Sequence, residues 1–388
     1  MNKIAEIMIG TIRAQVCGSE YKIDKDITQE ELKQLYVLSK SQDMAHIVGA
    51  ELEKQGILKS GDEVSEKFRK QQMIAIFRYE RINYELEEIC RVLEEAQIPH
   101  MPLKGSVIRK YYPEPWMRTS ADIDLLVQPE RLEDAKVVIS SELKYECGEK
   151  HEHDVSMFSE SGVHLELHFS TVEEYCAVNA IDIMQNIWDY AFVRNGSKYC
   201  YDIAGELFYF YHVAHMSKHF EYGGCGLRFF LDMWLLRRYS SFDEEKADEL
   251  LKKGGLKVFA DACAHLCEVW FGEAEHSEQT KEIEQYVLDN GIYGSKENNV
   301  AWQQITKGGK NKYALRLIFL SYDNMVKKYP SLEKHKWLFP FYQIRRWCSV
   351  IRNGRTKKSI GMLKQNSDVA QSRRGEVEKL LRGLALIK

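Results

Sequence analysis

Ile98-Pro99-His100-Met101-Pro102-Leu103-Lys104-Gly105-Ser106, followed further on by Ala121-Asp122-Ile123-Asp124-Leu125-Leu126-Val127, is the stretch from which the rest of the chain is read. Side chains of a strand alternate between its faces. Over 121–127 the apolar Ile123, Leu125 and Val127 therefore point one way, and Asp122 and Asp124 the other. Two carboxylates on one face repel unless a cation neutralises them, and hard oxygen ligands suit Mg²⁺ or Mn²⁺ held partly by substrate phosphates. Upstream, 98–104 reads as a short strand. Residues 106–112 read as a short helix stopped by Pro113, whose ring disfavours helical geometry in the preceding residue. Gly105 and Ser106 then stand at a helix N-terminus, where unpaired N–H groups and the helix dipole favour an anion and the serine hydroxyl adds a hydrogen bond. A phosphate cradle beside a carboxylate pair implies a metal and nucleotide site.

These residues resemble the DNA polymerase beta-like nucleotidyltransferase superfamily, whose sites combine a Gly-Ser helix start, an Asp-x-Asp strand and a third acid on a later strand. His164-Leu165-Glu166-Leu167-His168 alternates strictly, so Glu166 shares a polar face with His164 and His168 and is the candidate third acid. Arg118 before the Asp pair, the Leu-Lys-Gly opening, the Leu-Glu-Leu-His strand and a later Leu227-Arg228-x-x-Leu231-Asp232 helix narrow the likeness. Over roughly 93–236 the chain resembles the uncharacterised bacterial nucleotidyltransferase family often labelled NTP_transf_5. The resemblance implies transfer of a nucleoside monophosphate from an NTP, ATP in the first instance, to an acceptor hydroxyl with loss of pyrophosphate. In it Asp122, Asp124 and Glu166 would hold Mg²⁺ or Mn²⁺. Gly105 and Ser106 would cradle phosphates, with Lys104 or Arg118 supplying charge. Two other readings stay open: a non-catalytic nucleotide-binding module of the same fold, and a metal-dependent phosphotransferase or hydrolase.

Lys plus Arg number 54 and Asp plus Glu 58, a formal charge of -4, so no global basic field drives nucleic-acid binding and such a partner is not favoured. Nine scattered cysteines without close repeated pairs read as reduced thiols. No segment approaches the ~18 uncharged apolar residues of a membrane span, so a cytoplasmic protein without membrane contact is expected.

Around the central stretch, Thr28-x-x-Glu31 predicts a capping box, and 68–95 repeats apolar residues at spacings of three and four, as one long helix would. After the Asp strand, 129–143 reads as helix, 145–149 as a connection, and 155–169 as two strands around a Ser159-to-Gly162 turn. His151, His153, His164 and His168 lack zinc-ligand spacing and read as solvated or substrate-facing, with His168 on the acceptor side. Cys263 and Cys267 read as buried thiols. Beyond Ile181 the pattern is helical nearly to the end, broken at Gly196, Gly223, Gly254 and Gly308. His212, His215 and His219 form one helical stripe, readable as interhelical packing or as an acceptor wall shared with Arg228. Arg228 and Asp232, one turn apart, are the default for an intrahelical ion pair. The basic tail carries an apolar stripe, Val377, Leu380, Leu381 and Leu384, which predicts packing back onto the body, with an RNA or anionic-substrate patch as the alternative.

The expected architecture is α+β: a helical region over 1–96, a small mixed nucleotidyltransferase sheet over 97–171, and a larger helical domain over 172–388 whose size suggests an acceptor wall for a polar or anionic compound.

Overall fold

The computed structural model describes residues 2–171, 178–239, 243–292, 294–353, 356–369 and 371–387. Its first helices are α1 (Lys3–Cys17), α2 (Gln29–Ser41), α3 (Ala45–Lys54) and α4 (Glu63–Glu95). The Thr28 and Glu31 capping box is formed, with the Glu31 N–H on Thr28 Oγ1 at 3.2 Å and the Thr28 N–H on a Glu31 oxygen at 2.9 Å. The long helix starts earlier than the apolar repeat implies, because Asp62 caps it by accepting from the Ser65 N–H at 2.8 Å.

The sheet follows: β1 (His100–Pro102), one turn of helix α5 (Gly105–Ile108), β2 (Asp122–Val127), helix α6 (Leu132–Leu143), then β3 (Glu146–Lys150), β4 (Asp154–Phe158) and β5 (His164–His168). Strand order is β1-β2-β5-β4-β3. Among the described strands of this sheet only β2 and β5 run parallel, and their register sets Asp122 opposite His164 and Asp124 opposite Glu166. The predicted hairpin is present, and Gly162, at φ +80, supplies the left-handed residue that its turn needs. The connection expected over 145–149 is instead mostly strand β3. All its residues are exposed, so no apolar alternation marked it.

One face of the sheet, with Ile123, Leu125, Val127, Val155, Leu165 and Leu167, is sealed by Ile82, Ile89 and Leu93 of α4 and Leu132, Ala135 and Ile139 of α6. After α7 (Val178–Gln185) come α8 (Gly205–Glu221) and α9 (Leu227–Tyr239), and the opposite face, which carries the acids, looks toward these two. The boundary expected at 171/172 abuts 172–177, which lie outside the described residues. The helical reading beyond Ile181 misses a small hairpin, β6 (Ala191–Val193) with β7 (Tyr201–Ile203), whose turn holds Gly196. Three-residue strands with exposed or half-buried side chains leave no periodicity to read.

Helices α10 (Glu244–Lys253), α11 (Lys257–Phe271), α12 (Glu278–Leu288), α13 (Lys296–Thr306), α14 (Lys310–Ile318), α15 (Tyr322–Lys328), α16 (Phe339–Arg352), α17 (Thr356–Asp368) and α18 (Gln371–Gly383) complete the chain. The tail stripe is buried as predicted: Val377, Leu380, Leu381 and Leu384 join a core that also holds Ile12 of α1, Phe210 of α8 and Leu126 of β2. The whole is an α+β molecule, with a five-stranded mixed sheet set among many helices. No described helix is long and apolar enough to cross a membrane.

Candidate active site

Lys104, at the end of the loop after β1, has φ +46, a backbone conformation that L side chains rarely adopt. Such positions cost about 1–3 kcal/mol and persist where the surroundings hold them. Here the Leu103 N–H donates to the Asp124 carbonyl at 3.0 Å, and the Lys104 ammonium donates to the Asp124 carboxylate at 2.8 Å and lies 3.9 Å from Glu166. The next residue is closely hemmed in. A Cβ on Gly105 would stand 3.3 Å from both Arg118 Nη1 and the Ser120 Cβ.

Parallel pairing of β2 and β5 converges the three acids. A Glu166 oxygen lies within 4.8 Å of an oxygen of Asp122 in one group with His164, and of Asp124 in another with His168. Burial and the neighbouring Asp124 and Glu166 charges push the Asp122 carboxyl above its usual range. Asp124 is buried too, but Lys104 and His168 hold it well below that range. Glu166 is lowered, chiefly by its hydrogen bond with His168. Burial disfavours charge on Lys104, yet Asp124 and its other acidic neighbours outweigh this and raise its pKa.

A cavity of about 280 Å³ opens over this face. Asp122, Asp124, Asp154 and Glu166 line it together with Lys104, Gly105, Arg118, Lys218, Arg228, His212, His215 and His219. Carboxylates and cationic side chains thus share one space open to a ligand, while burial favours the neutral forms of the three histidines. Hard oxygen donors that repel one another fit a divalent cation, and the lysines and arginines fit phosphates.

Several residues singled out in the sequence take other places. Ser106 does not line the cavity: its hydroxyl is buried without a partner among the described residues, and its N–H is spent on the Leu103 carbonyl at 3.2 Å. The helix it opens is a single turn, passing at Ile108 into a 3₁₀ turn (Arg109–Tyr111), so it has little dipole to offer. His168, expected on the acceptor side, lies behind the acids instead. It is 2 % exposed, and its Nε2 is 2.9 Å from Asp124. Arg118 reaches the cavity, but its Nε donates to both oxygens of Asp232 at 2.8 Å, and Tyr112 donates to the same carboxylate at 2.7 Å. The intrahelical Arg228–Asp232 pair is therefore not formed. Asp232 turns inward to Arg118, while Arg228 pairs with Asp43 at 2.9 Å. His212 touches the cavity, yet it is buried with its Nε2 against the Phe229 carbonyl at 2.9 Å. His215 pairs with His219 at 3.1 Å.

Sequence reading passed over Lys218, Asp154 and Arg109, and named His153 without its ring partner. Lys218 lies three residues after His215 on α8, on the same helical face, and that spacing was the available signal. His153 stacks on His168 with ring centroids 5.7 Å apart, and Asp154 sits opposite His168 in the sheet. Arg109, buried, braces the loop by donating to the Gly105 carbonyl at 3.1 Å and the Ser120 hydroxyl at 3.0 Å; nothing local announces this.

A mixed sheet thus presents three converging carboxylates beside a Lys-Gly loop. The chain belongs to the uncharacterised nucleotidyltransferase family, whose model matches residues 28–272. That span takes in α2 through α11 and so the whole cavity. Neither the curated proteins nor the solved structures give a match.

Proposed function

We propose that the protein transfers a nucleoside monophosphate from an NTP to an acceptor hydroxyl, releasing pyrophosphate. The observation that carries this is the meeting of Asp122, Asp124 and Glu166 within one cavity that Lys104, Arg118, Lys218 and Arg228 also line. Asp122, Asp124 and Glu166 would hold Mg²⁺ or Mn²⁺, and in such sites the metal neutralises the phosphates and activates the attacking oxygen. Lys104 and Gly105 border the place for the triphosphate, Lys104 giving a fixed charge and Gly105 the room for close approach. His168 keeps Asp124 oriented and ionised from behind. Lys218, His215 and Arg228 wall the side away from the strands, and their charge and hydrogen-bond donors suit a polar or anionic acceptor. The domain division at 96/97 and 171/172 follows this reading, the sheet carrying the metal and nucleotide and the later helices the acceptor.

The test is incubation with each α-labelled NTP, Mg²⁺ and a cell extract, followed by identification of what becomes labelled. Label in a product with release of pyrophosphate is expected, along with its loss in Asp122→Asn/Asp124→Asn. Labelled NDP with free phosphate, and no labelled acceptor, would turn the assignment to a hydrolase. Mg²⁺-dependent NTP binding unchanged in the double variant would remove the site altogether.

A further inference from the structure

A second cluster lies behind the sheet edge, away from the carboxylates. Cys90 on α4, His100 at the start of β1 and Cys200 just before β7 bring two thiol sulfurs and an imidazole nitrogen within 4.8 Å of one another. His100 and Cys200 are buried and Cys90 is half-buried. These residues come from three separate stretches, so no spacing in the sequence announces them.

The histidine says what the cluster lacks. His100 is 0 % exposed, and its Nδ1 is 2.9 Å from the Ile98 carbonyl. A carbonyl only accepts, so Nδ1 carries the hydrogen. The neutral ring then turns the lone pair of Nε2 toward the sulfurs. That nitrogen meets no oxygen or nitrogen partner among the described residues, and the group that faces it is the Cys200 thiol. A thiol is a weak donor, so the lone pair is poorly satisfied, and a ring fixed through its other nitrogen to a carbonyl is the usual posture of a metal-ligating histidine.

The surroundings hold the third ligand in place. Glu94, one turn after Cys90 on α4, accepts from the Ser197 hydroxyl and from the N–H groups of Lys198, Tyr199 and Cys200, at 2.6 to 3.1 Å for the three N–H groups. The His100 N–H donates to the Tyr199 carbonyl at 2.9 Å. The strand and the hairpin are thereby fixed to α4 by hydrogen bonds that do not involve the three ligand atoms.

The geometry points to a Cys₂His site for a soft divalent ion, Zn²⁺ in the first instance, with Cys90, Cys200 and His100 Nε2 as ligands. Bonds of about 2.3 Å to sulfur and about 2.0–2.1 Å to nitrogen put tetrahedral ligands roughly 3.5–3.8 Å apart, so from separations of at most 4.8 Å a contraction of about 1.3 Å or less brings these three into place, with water as the fourth ligand. On binding, the two thiols lose their protons to solvent and the imidazole stays neutral. A Cys90–Cys200 disulfide is the competing use of the same sulfurs, but it would leave Nε2 without a partner. The ion would clasp the β6–β7 hairpin to α4 and to β1, the strand that leads into Lys104.

The test is metal analysis of the full-length protein, prepared untagged and reduced without chelator, beside Cys90→Ser, Cys200→Ser and Asp122→Asn/Asp124→Asn. One equivalent of zinc is expected in the parent and in the Asp double variant, and a loss of at least tenfold in occupancy in either Cys variant. Should the Cys variants fold poorly, Co²⁺ titration of the parent apoprotein decides: a sulfur-to-cobalt charge-transfer band saturating at one equivalent and displaced by Zn²⁺ supports the site. Parent protein that takes up no zinc and gives no such band overturns it. So does a parent whose Cys90 and Cys200 are isolated as a disulfide with zinc present, or Cys variants that keep full zinc occupancy.

Discussion

Glu166 carries the chemical reading at the scale of single residues. Its carboxylate is within 4.8 Å of Asp122 and Asp124 oxygens and is half-buried on a solvated face, so it contributes little packing. Glu166→Gln, nearly isosteric, is expected to reduce kcat by at least about 10²-fold, the scale seen when one preorganised electrostatic group is removed. Its unfolding midpoint should stay close to the parent's. A comparable loss in both would make Glu166 structural. Asp232 has the opposite profile. Its carboxylate, buried at 0 % exposure, takes bonds from Arg118 and Tyr112. Asp232→Ala leaves the Arg118 charge buried and unpaired and should cost about 3–5 kcal/mol, measurable by denaturant unfolding. Arg118→Met/Asp232→Leu should cost clearly less. The acids were legible because strand parity is local and strict. The partners of Arg118 and Arg228 were not, because Asp232 and Asp43 lie far off in sequence and a one-turn spacing on α9 offered a nearer, wrong pair.

Secondary-structure elements turn that list of residues into two walls. Alternation on β5 was enough to place Glu166, whereas β3 and the β6–β7 hairpin, exposed and short, carry no pattern that hydrophobicity can reveal. Helix α8 forms much of the second wall, and its chemistry can be read against pH. Burial, with Lys104 nearby, draws the Lys218 ammonium down to about 8. If this charge receives an anionic acceptor, kcat/KM for the acceptor should fall as pH rises through about 8, since that ratio reports the free enzyme. Lys218→Arg should abolish the limb, because Arg stays protonated; a limb unmoved in Lys218→Arg would assign it elsewhere. At the end of α8, burial raises Glu221 to about 7 from its ordinary 4.5. Between those values the folded chain holds a proton that the unfolded chain has released. Stability from this group is therefore whole below the ordinary value and lost as pH rises to about 7. Glu221→Gln should remove that slope and leave the protein relatively more stable at and above pH 7, as thermal melts across the pH range would report.

Across the whole molecule, the carboxylate face of the sheet is tied to the last helix of the chain. Met101, Leu103 and Leu126 belong to the same buried cluster as Val377, Leu380 and Leu381 of α18. A polar chain runs beside it: Arg373 Nε donates to Asn298 on α13 at 2.9 Å, and Asn298 donates to the Gly223 carbonyl in the turn between α8 and α9 at 3.4 Å. The tail stripe was readable from its spacing, but its destination was not, since periodicity gives a buried face and never the surface that receives it. The consequence is that α18 should support the site it never touches. Leu381, fully buried, loses a side chain's worth of packing in Leu381→Ala, at about 2–5 kcal/mol. If the cluster opens as one cooperative unit, hydrogen exchange at the slowest amides of β1 and β2 should accelerate by the same factor as at α13, roughly 30-fold or more for 2 kcal/mol. Acceleration confined to α18 and α13, with β1 and β2 unchanged, would mean that the tail is a separate unit resting on the body and that the sheet draws its stability from the α4 and α6 side alone.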